Sequence, residues 1–302
     1  MLRAIDQLRH FFDEKGIELI LPNVVQTLSE EELIDILPGV DAWIIGDDPA
    51  TERVFAAGKA GKLRAAVKWG VGVDNVDFKA CEKLGIPISN TPRMFGNEVA
   101  DMALAYFTGL ARESYRVDRE VRKGNWIKPA GMSLDQKTVA LVGTGDIGLA
   151  TARRLKAFGV KINAYDPFTK LSAEEAGVDQ FLSFPEKLGD ADFVMLTCAL
   201  TSANHHLIND DSISKMKDRV IVINVSRGGL IDEAALVKAL ESGKVKSAGL
   251  DVFETEPLPA DSPLRQFEQC IFGTHNGSNT KEAVIRASLR AIEILFGYLE
   301  IH

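Results

Sequence analysis

The chain has 302 residues, of which 46% are hydrophobic and 26% are charged, and its formal net charge is −8. The length suggests two domains, and the composition is typical of a globular protein with a substantial core. The acidic balance and the lack of a Lys/Arg run argue against nucleic acid as a partner, and no apolar run reaches the length of a membrane span.

The cysteines Cys81, Cys198 and Cys270 are far apart and odd in number, and none forms a CxxC pair. This usage favours a reducing compartment over a disulfide framework. The N-terminal segment is amphipathic and lacks the apolar block of a signal peptide. We therefore expect a cytoplasmic protein that does not bind membranes.

Apolar periodicity predicts alternating helices and strands in the first part of the chain. The expected order is a helix up to Gly16, a strand over Ile17–Leu21, a helix that begins near Ser29, and strands over Ala42–Ile45, Ala66–Trp69 and Ile86–Ser89. This alternation is typical of a parallel sheet with helices on its faces. Because the chain opens on a helix, we hypothesise that the first strand of this domain is absent; the alternative is a smaller domain.

The pattern then predicts one long helix from about Asn97 to Lys123, followed by a break at Pro129–Gly131. A second βα series follows, with strands expected over Thr138–Val142, Lys161–Tyr165, Asp192–Thr197, Val220–Asn224 and Ser247–Asp251, and with a last helix over Lys281–Leu299. The whole pattern indicates an α/β fold with two doubly wound parallel-sheet domains.

A glycine-rich turn, Gly143-Thr-Gly145-Asp-Ile-Gly148, lies between an expected strand and an expected helix. The first glycine permits a tight turn, the second lets the backbone approach a pyrophosphate, and the third lets helix and strand pack closely. The first helical residues, Asp146 and Ile147, would then face the pyrophosphate. The turn predicts a dinucleotide site.

Asp166 follows the next expected strand. A carboxylate at this place binds the ribose hydroxyls of the cofactor and repels a 2′-phosphate, which favours NAD over NADP. The alternative is that Asp166 only caps the end of a strand.

Three polar residues of the second half stand in unusual settings: Arg227 at a strand end before two glycines, Glu256 before a proline, and His275 after Phe-Gly-Thr. A cation, a carboxylate and an imidazole are what hydride removal from a 2-hydroxy acid requires. Arg227 could instead be a structural ion-pair residue, and Glu256 an ordinary loop acid. We expect His205 and His206 to be solvated, and we find no spacing that suggests a metal site.

At these residues the chain resembles the D-isomer-specific 2-hydroxyacid dehydrogenases, the group that contains phosphoglycerate, glycerate/hydroxypyruvate and D-lactate dehydrogenases. The similar blocks occur in family order: Gly70–Asn75, Asn90–Pro92, the glycine turn, Asn224–Gly229, Asp251–Pro257 and His275. The resemblance implies an NAD-binding Rossmann domain over residues 99–280, inserted into a flavodoxin-like substrate domain of residues 1–98 to which a helix of residues 281–302 returns. It also implies an active site in the cleft between the domains, and a homodimer.

The resemblance further implies roles for single residues. Arg227 would bind the substrate carboxylate, His275 would be the general acid/base, and Glu256 would orient the imidazole. The backbone N–H groups of Val71 and Gly72 would also hold the carboxylate. Further cofactor contacts would come from Cys198, Thr201, Val225, Ser226 and Asp251.

The chain departs from the family pattern at several places, one of which is Ala199, where the family commonly has proline. Thr274 stands where the family usually has proline before the histidine, which puts the reaction rate in doubt. Gly46–Pro49 stands where relatives that bind phosphorylated acids often place an Arg-Ser pair, and Arg93 follows Asn-Thr-Pro. We hypothesise that the usual phosphate recognition is weakened and that Arg93 replaces it or binds a second carboxylate; a surface role for Arg93 is the alternative.

We therefore expect an NAD-dependent oxidoreductase acting on a D-2-hydroxy acid or 2-keto acid, with a 3-phosphoglycerate-like substrate among the options. Two alternatives stay open, a non-catalytic NAD(H)-sensing protein on the same fold and a degenerate dehydrogenase.

Overall fold

The computed structural model describes residues 1–24 and 27–301. Its strands are β1 (Ala42–Ile45), β2 (Ala65–Lys68), β3 (Ile88–Asn90), β4 (Thr138–Val142), β5 (Lys161–Tyr165), β6 (Gln180–Phe181), β7 (Phe193–Leu196), β8 (Val220–Asn224), β9 (Val245–Leu250) and β10 (Ile271–Phe272). Its α-helices are α1 (Ile5–Asp13), α2 (Glu30–Ile36), α3 (Glu52–Ala60), α4 (Phe78–Leu84), α5 (Gly96–Arg112), α6 (Ser114–Arg122), α7 (Asp146–Leu155), α8 (Ala173–Ala176), α9 (Asp210–Ser214), α10 (Glu233–Ser242) and α11 (Lys281–Leu299).

The chain forms two compact units. The first consists of Met1–Met94 and Asn279–His302, and the second of Phe95–Ser278.

The first unit is built around a parallel sheet in the order β1-β2-β3. One core cluster joins Ala65 and Val67 of β2 to Ala291 and Leu295 of α11. Another contains buried residues of the β1–β2 sheet and of α2, α3 and α4, among them Leu33, Phe55 and Cys81. Ser29 caps α2 through the reciprocal bonds with Glu32 that the sequence predicts.

The predicted strand over Ile17–Leu21 is wrong, because these residues form no strand. The side chains of Ile17 and Leu19 pack on a small core with Leu8, Phe12 and Ile292. Partly buried and exposed side chains alternate over Ile17–Ile20, but in residues 1–24 and 27–301 no neighbouring strand pairs with this segment. The hypothesis of an absent first strand stays a hypothesis.

The second unit is built around a parallel sheet whose described strands have the order β10-β9-β8-β7-β4-β5-β6. The chain runs outward from β4 through β5 to β6, then returns to the other side of β4 and continues from β7 to β10. This reversal is the switch point of a Rossmann fold, beside which ligands bind at the carboxyl ends of the strands. The sequence therefore predicted this architecture correctly.

The single long helix predicted from Asn97 to Lys123 is wrong, because the structure has two helices, α5 and α6. They are separated at Glu113, which has a left-handed backbone with φ of 52°. The Glu113 carboxylate binds Lys246 of β9 at 3.3 Å. After the break, the ring of Tyr115 lies so close to Gly109 that a Cβ there would be 2.4 Å from it. Tertiary contacts thus interrupt a continuous helical pattern.

Candidate active site

The glycine turn connects β4 to α7. Gly143 has φ of 94°, and a Cβ on it would lie 2.6 Å from the Cα of Cys198. A Cβ on Gly148 would lie 2.0 Å from the carbonyl oxygen of Gly143, so helix and strand pack as predicted. A Cβ on Gly145 would meet no atom within 4 Å. The backbone at Gly145 therefore has open space in which a ligand can approach it.

Asp146 and Ile147 form the first turn of α7. The Asp146 carboxylate lies against the start of α5, since a Cβ on Gly96 would be 2.5 Å from its oxygen. The backbone N–H groups of a first helical turn have no partner within the helix, and the helix dipole favours an anion there. The turn and the helix end thus fit a pyrophosphate.

Asp166 follows β5, and its side chain turns back to the glycine turn. Its Oδ2 accepts hydrogen bonds from the N–H and the hydroxyl of Thr144, both at 2.8 Å, and its Oδ1 accepts one from the N–H of Phe168 at 3.0 Å. Partial burial opposes ionisation, but these bonds outweigh it and lower the pKa of the Asp166 carboxyl. A fixed, charged carboxylate therefore lies beside the glycine turn. Thr144 is a positioning residue that the sequence reasoning missed.

Cys198 and Thr201 follow β7, the strand next to β4. Burial raises the pKa of the Cys198 thiol to about 11, so this side chain is neutral. Thr201 is exposed, and both its N–H and its hydroxyl donate to Oδ1 of Asn204, at 2.6 and 3.1 Å. The structure therefore places both predicted residues beyond the carboxyl end of β7.

Val225, Ser226 and Arg227 follow β8. Val225 and Ser226 are buried, and the Ser226 hydroxyl donates to the Leu196 carbonyl at 3.2 Å. Asn224, which is fully buried, accepts from the Ser226 N–H at 3.0 Å and donates to the Arg227 carbonyl at 2.8 Å. The backbone that carries Arg227 is thus held by a side chain that the sequence reasoning did not single out. The Arg227 side chain is half-buried, and its Nη1 donates to the Ser226 carbonyl at 2.8 Å.

Gly228 lets the chain after Arg227 pass the loop that leads to Glu256. A Cβ at position 228 would lie 1.9 Å from the carbonyl carbon of Phe253. We therefore expect Gly228→Ala to lower the free energy of unfolding by about 1–3 kcal/mol, because the backbone must shift to relieve the clash. Chemical denaturation would measure it.

The matched control for this prediction is Gly297→Ala in α11, where a Cβ meets no atom within 4 Å. That variant should keep or raise the free energy of unfolding, since alanine favours a helix over glycine. An unchanged stability of Gly228→Ala would contradict the close approach.

Asp251 lies just after β9 and is almost fully buried. Its Oδ1 accepts from the Tyr106 hydroxyl at 3.1 Å, and its Oδ2 accepts from the Gly277 N–H at 2.7 Å. Burial, and then the nearby carboxylate, raise the pKa of Tyr106, so the phenol keeps the proton that it donates. Asp251 therefore joins α5, β9 and the segment after His275.

Glu256 and His275 form a hydrogen-bonded pair in the loops after β9 and β10. His275 Nδ1 lies 2.7 Å from Glu256 Oε2, and Glu256 Oε1 accepts from the Phe253 N–H at 3.0 Å. Both side chains are about one-quarter exposed. His275 has φ of 53°, and its N–H donates to the Asp251 carbonyl at 2.6 Å. The imidazole is thus oriented by a carboxylate and its backbone is anchored, although threonine precedes it.

A second histidine–glutamate pair lies in the same unit. The His206 ring contacts the Glu254 carboxylate through Nε2 and stacks on His205 with centroids 3.9 Å apart. His205 is exposed, and the His206 side chain is 34% exposed, so both are in contact with solvent, although His206 also has a carboxylate partner. Burial, and then repulsion by Glu254 and Glu256, raise the pKa of Glu233, which accepts from the Glu254 N–H.

The predicted residues of the first unit lie where β2 and β3 end. Val71 is exposed, and its carbonyl accepts from the Asn90 side chain at 3.1 Å. The N–H of Gly70, next to Val71 and Gly72, donates to Thr91 at 2.8 Å. Arg93 is exposed and has φ of 58°. The carboxyl ends of parallel strands meet at one edge of a sheet, so these residues share an edge of this unit.

Lys68, at the end of β2, is 2% exposed and was missed by the sequence reasoning. Its ammonium donates to the Gly46 carbonyl and lies 3.1 Å from the Asp47 carboxylate. Asp48 accepts from the N–H groups of Leu28 and Gly46, at 2.9 and 3.2 Å. The acidic loop Gly46–Pro49 is thus held by one bond of its own and by contacts with Leu28 and Lys68.

Within residues 1–24 and 27–301, no group of three or more His, Cys, Asp and Glu side chains is arranged to bind a metal ion. In the same part of the chain, no helix is both long and apolar enough for a membrane span.

The model of the family described as D-isomer specific 2-hydroxyacid dehydrogenase, NAD binding domain, matches residues 104–277. The hydroxypyruvate reductase of Thermotoga maritima is 38% identical over 283 residues, which are 91% of this chain and 90% of that protein. The glyoxylate reductase of Korarchaeum cryptofilum is 36% identical, over 94% of this chain and 87% of that protein. The D-3-phosphoglycerate dehydrogenase of Methanocaldococcus jannaschii is 36% identical over 86% of this chain, which spans only 50% of that relative.

Solved structures show the same similarity. The TT0316 protein of Thermus thermophilus superposes with a TM-score of 0.89 at 33% identity, covering 99% of this chain and 94% of that one. The apo D-lactate dehydrogenase of Escherichia coli superposes with a TM-score of 0.84 at 30% identity, covering 99% and 93% of the two chains.

Proposed function

Because this chain belongs to the D-isomer specific 2-hydroxyacid dehydrogenase family, whose members are NAD-dependent oxidoreductases, we propose that it reduces a small, unphosphorylated 2-keto acid. The observation that carries the proposal is the hydrogen bond of 2.7 Å between His275 and Glu256. A carboxylate-oriented imidazole is the group that delivers a proton to a keto oxygen as hydride reaches the carbon.

Three side chains of the second unit have different roles in the proposed reaction. Arg227 binds the substrate carboxylate through its guanidinium and polarises the keto oxygen. His275 gives its Nε2 proton to that oxygen, and Glu256 holds Nδ1 and stabilises the imidazolium before that transfer. In the first unit, the backbone N–H groups of Val71 and Gly72 contribute to carboxylate binding, where the small glycine permits close approach.

The cofactor is NAD(H), which supplies the hydride when it is bound. Gly143, Gly145 and Gly148, with Asp146 and Ile147 at the start of α7, would hold the pyrophosphate. The Asp166 carboxylate would accept hydrogen bonds from the ribose hydroxyls. Further contacts would come from Cys198, Thr201, Val225, Ser226 and Asp251. The open space at Gly145 and the fixed Asp166 carboxylate support this assignment.

The first unit favours an unphosphorylated substrate. Relatives that bind phosphorylated acids often place an Arg-Ser pair where this chain has the loop Gly46–Pro49, and this loop instead carries the carboxylates of Asp47 and Asp48. The ammonium of Lys68 is buried and already bound to Gly46 and Asp47. The similarity to a hydroxypyruvate reductase and a glyoxylate reductase over most of their length supports the same choice. Arg93, which is exposed beyond β3, would bind a polar group at the substrate end opposite the keto acid.

The test follows NADH loss with purified protein and a panel of glyoxylate, hydroxypyruvate, 3-phosphohydroxypyruvate, pyruvate, a branched-chain keto acid and 2-ketoglutarate. We expect the highest kcat/KM with glyoxylate or hydroxypyruvate. A preference for 3-phosphohydroxypyruvate would overturn the choice of substrate class. Tight NADH binding without turnover of any of them would favour an NAD(H)-sensing protein instead.

The Asp166 carboxylate leads to a prediction about the preference for NADH over NADPH. Asp166→Ala removes the carboxylate that repels a 2′-phosphate, so we expect the preference for NADH over NADPH to fall by about 10- to 100-fold in kcat/KM, which corresponds to about 1.4–2.7 kcal/mol. The measurement compares both cofactors at a fixed keto-acid concentration. Asp179→Ala, at another carboxylate near the same sheet, is the control. An unchanged preference in Asp166→Ala would remove Asp166 from the ribose site.

We also propose a homodimer in the cytoplasm. Val121 near the end of α6 is 45% exposed, and Trp126 just beyond this helix is 81% exposed. Exposed aromatic and aliphatic groups close together are typical of an interface. The three cysteines are far apart in the sequence and form no CxxC pair, which supports a reducing compartment. Light scattering after size exclusion would show a monomer if the dimer is wrong.

A further inference from the structure

A cavity of about 290 Å³ lies in the second unit, away from the groups described above. Arg219, just before β8, lines it, as do Lys246 and Ser247 in the first half of β9 and Ile271 at the start of β10. These strands are parallel, so the cavity lies at their amino-terminal ends. The candidate catalytic groups follow the carboxyl ends of the same strands. The cavity is therefore a separate feature.

The cavity carries an excess of positive charge. Four cationic side chains line it against two carboxylates, which gives +2: Arg116, Arg119, Arg219 and Lys246 against Glu113 and Glu268. The whole chain, in contrast, has a net charge of −8. A local positive site on an acidic protein attracts small anions in particular.

Some of these cations are held in place by neighbours. Glu113 binds Arg116 at 2.9 Å and Lys246 at 3.3 Å, and a guanidinium N–H of Arg119 donates to the carbonyl of Glu268. The guanidinium of Arg219 makes no hydrogen bond or ion pair in the part of the chain that the structure describes. The cations that are held in place and the guanidinium of Arg219 beside them together form a preorganised set of hydrogen-bond donors.

The floor of the cavity contains a hydroxyl group that needs a partner. Ser247 is 3% exposed, and its Oγ makes no hydrogen bond to any described residue. Residues 247 and 249 lie on the same face of β9 because side chains alternate along a strand. A Cβ on Gly249 would meet Tyr106 and Leu110 of α5. The Ser247 hydroxyl therefore points towards α5, where Gly109 and Leu110 line the cavity. A buried hydroxyl without a partner is unfavourable, and a ligand would satisfy it.

We propose that this cavity is a binding site for a small, multiply charged metabolite anion with carboxylate or phosphate groups. The planar guanidinium groups of Arg119 and Arg219 suit such oxygens, the Ser247 hydroxyl adds a neutral donor, and Leu110 and Leu240 contact a short carbon skeleton. The volume accommodates a few carbon atoms and is too small for a dinucleotide. The site places an anion at one end of the strands that carry Arg227 and His275 at the other.

The test titrates citrate and inorganic phosphate into the protein by calorimetry at constant ionic strength. Saturating NADH fills the pyrophosphate site beforehand. We expect one anion site per chain. Arg219→Glu should weaken it at least about tenfold, the effect of losing one charge-assisted hydrogen bond. Ser247→Ala should weaken it several-fold although it removes no charge, which attraction by a diffuse positive surface would not explain.

Two controls separate this site from other anion sites. Lys161→Glu makes the same change of charge at an exposed residue at the start of β5, outside the cavity, and should bind the anion normally. Arg227→Gln, which removes the carboxylate-binding group of the proposed active site, should also bind it normally. No binding of either probe to the wild type, equal binding by Arg219→Glu and Lys161→Glu, or loss in Arg227→Gln would each overturn the proposal.

Discussion

Replacing His275 with glutamine is expected to lower kcat for keto-acid reduction by about 10²- to 10⁴-fold, which is the usual contribution of a positioned general acid. Glutamine keeps a hydrogen-bonding group near Glu256 but has no proton of suitable acidity to give to the keto oxygen. Because the side chain at 275 is assigned to proton transfer, the dissociation constant for NADH should stay within about twofold of the wild type. Steady-state kinetics and fluorescence titration with NADH measure the two quantities.

His10→Gln is the matched control, because His10 is exposed on α1 of the first unit and has no assigned role. It should keep the wild-type kcat. The kcat of Glu256→Gln should lie between those of His275→Gln and His10→Gln, since glutamine preserves the shape of the side chain but removes the negative charge that stabilises the imidazolium. A His275→Gln variant with wild-type kcat would mean that another group delivers the proton.

The second large effect is expected from Arg227→Gln. Two charge-assisted hydrogen bonds to the substrate carboxylate contribute about 1.5–3 kcal/mol each, so kcat/KM should fall by about 10²- to 10⁴-fold. Polarisation of the keto oxygen is lost as well, so kcat should fall together with the rise in KM. Progress curves at several keto-acid concentrations separate the two parameters.

Arg227→Lys keeps the charge but loses the planar fork, and we expect it to recover only part of kcat/KM. Arg53→Gln, at an arginine whose side chain is 67% exposed, is the control for removing a guanidinium elsewhere. A small change in Arg227→Gln would support the alternative interpretation of Arg227 as a structural residue. The thermal stability of Arg227→Gln distinguishes a structural role from substrate binding, because loss of a structural arginine would mainly lower the unfolding temperature.

Several features of this protein were predictable from local sequence. The glycine turn, Asp166 at the next strand end and the βα alternation around them depend on spacing over a few tens of residues. Gly148 is required by a contact close along the chain, with the Gly143 carbonyl, and Gly143 by a contact with Cys198 after the neighbouring strand. The pairing of Glu256 with His275 spans 19 residues and was implied by the family resemblance.

Other features had no local signal. Tyr106 is 145 residues from Asp251, whose carboxylate it binds, and in sequence it is one apolar-face residue of a helix. Lys68 lies in an expected strand whose sequence shows neither that its side chain is buried nor that its partners are Gly46 and Asp47. The break at Glu113 interrupts a helical pattern that continues through it, and the Ile17–Leu21 segment alternates like a strand although no described strand pairs with it.

Sequence alone determined most of the helices and strands and which residue types stand at the strand ends, because helix and strand periods and glycine conformations are properties of short segments. Tertiary structure decided which of these side chains meet, which are buried, and where a helix breaks. Hydrogen bonds such as those of Asp251 with Tyr106 and of Lys68 with Gly46 join segments that only folding brings together. Burial makes a polar group without a hydrogen-bond partner unfavourable, so buried polar side chains are found where partners are available.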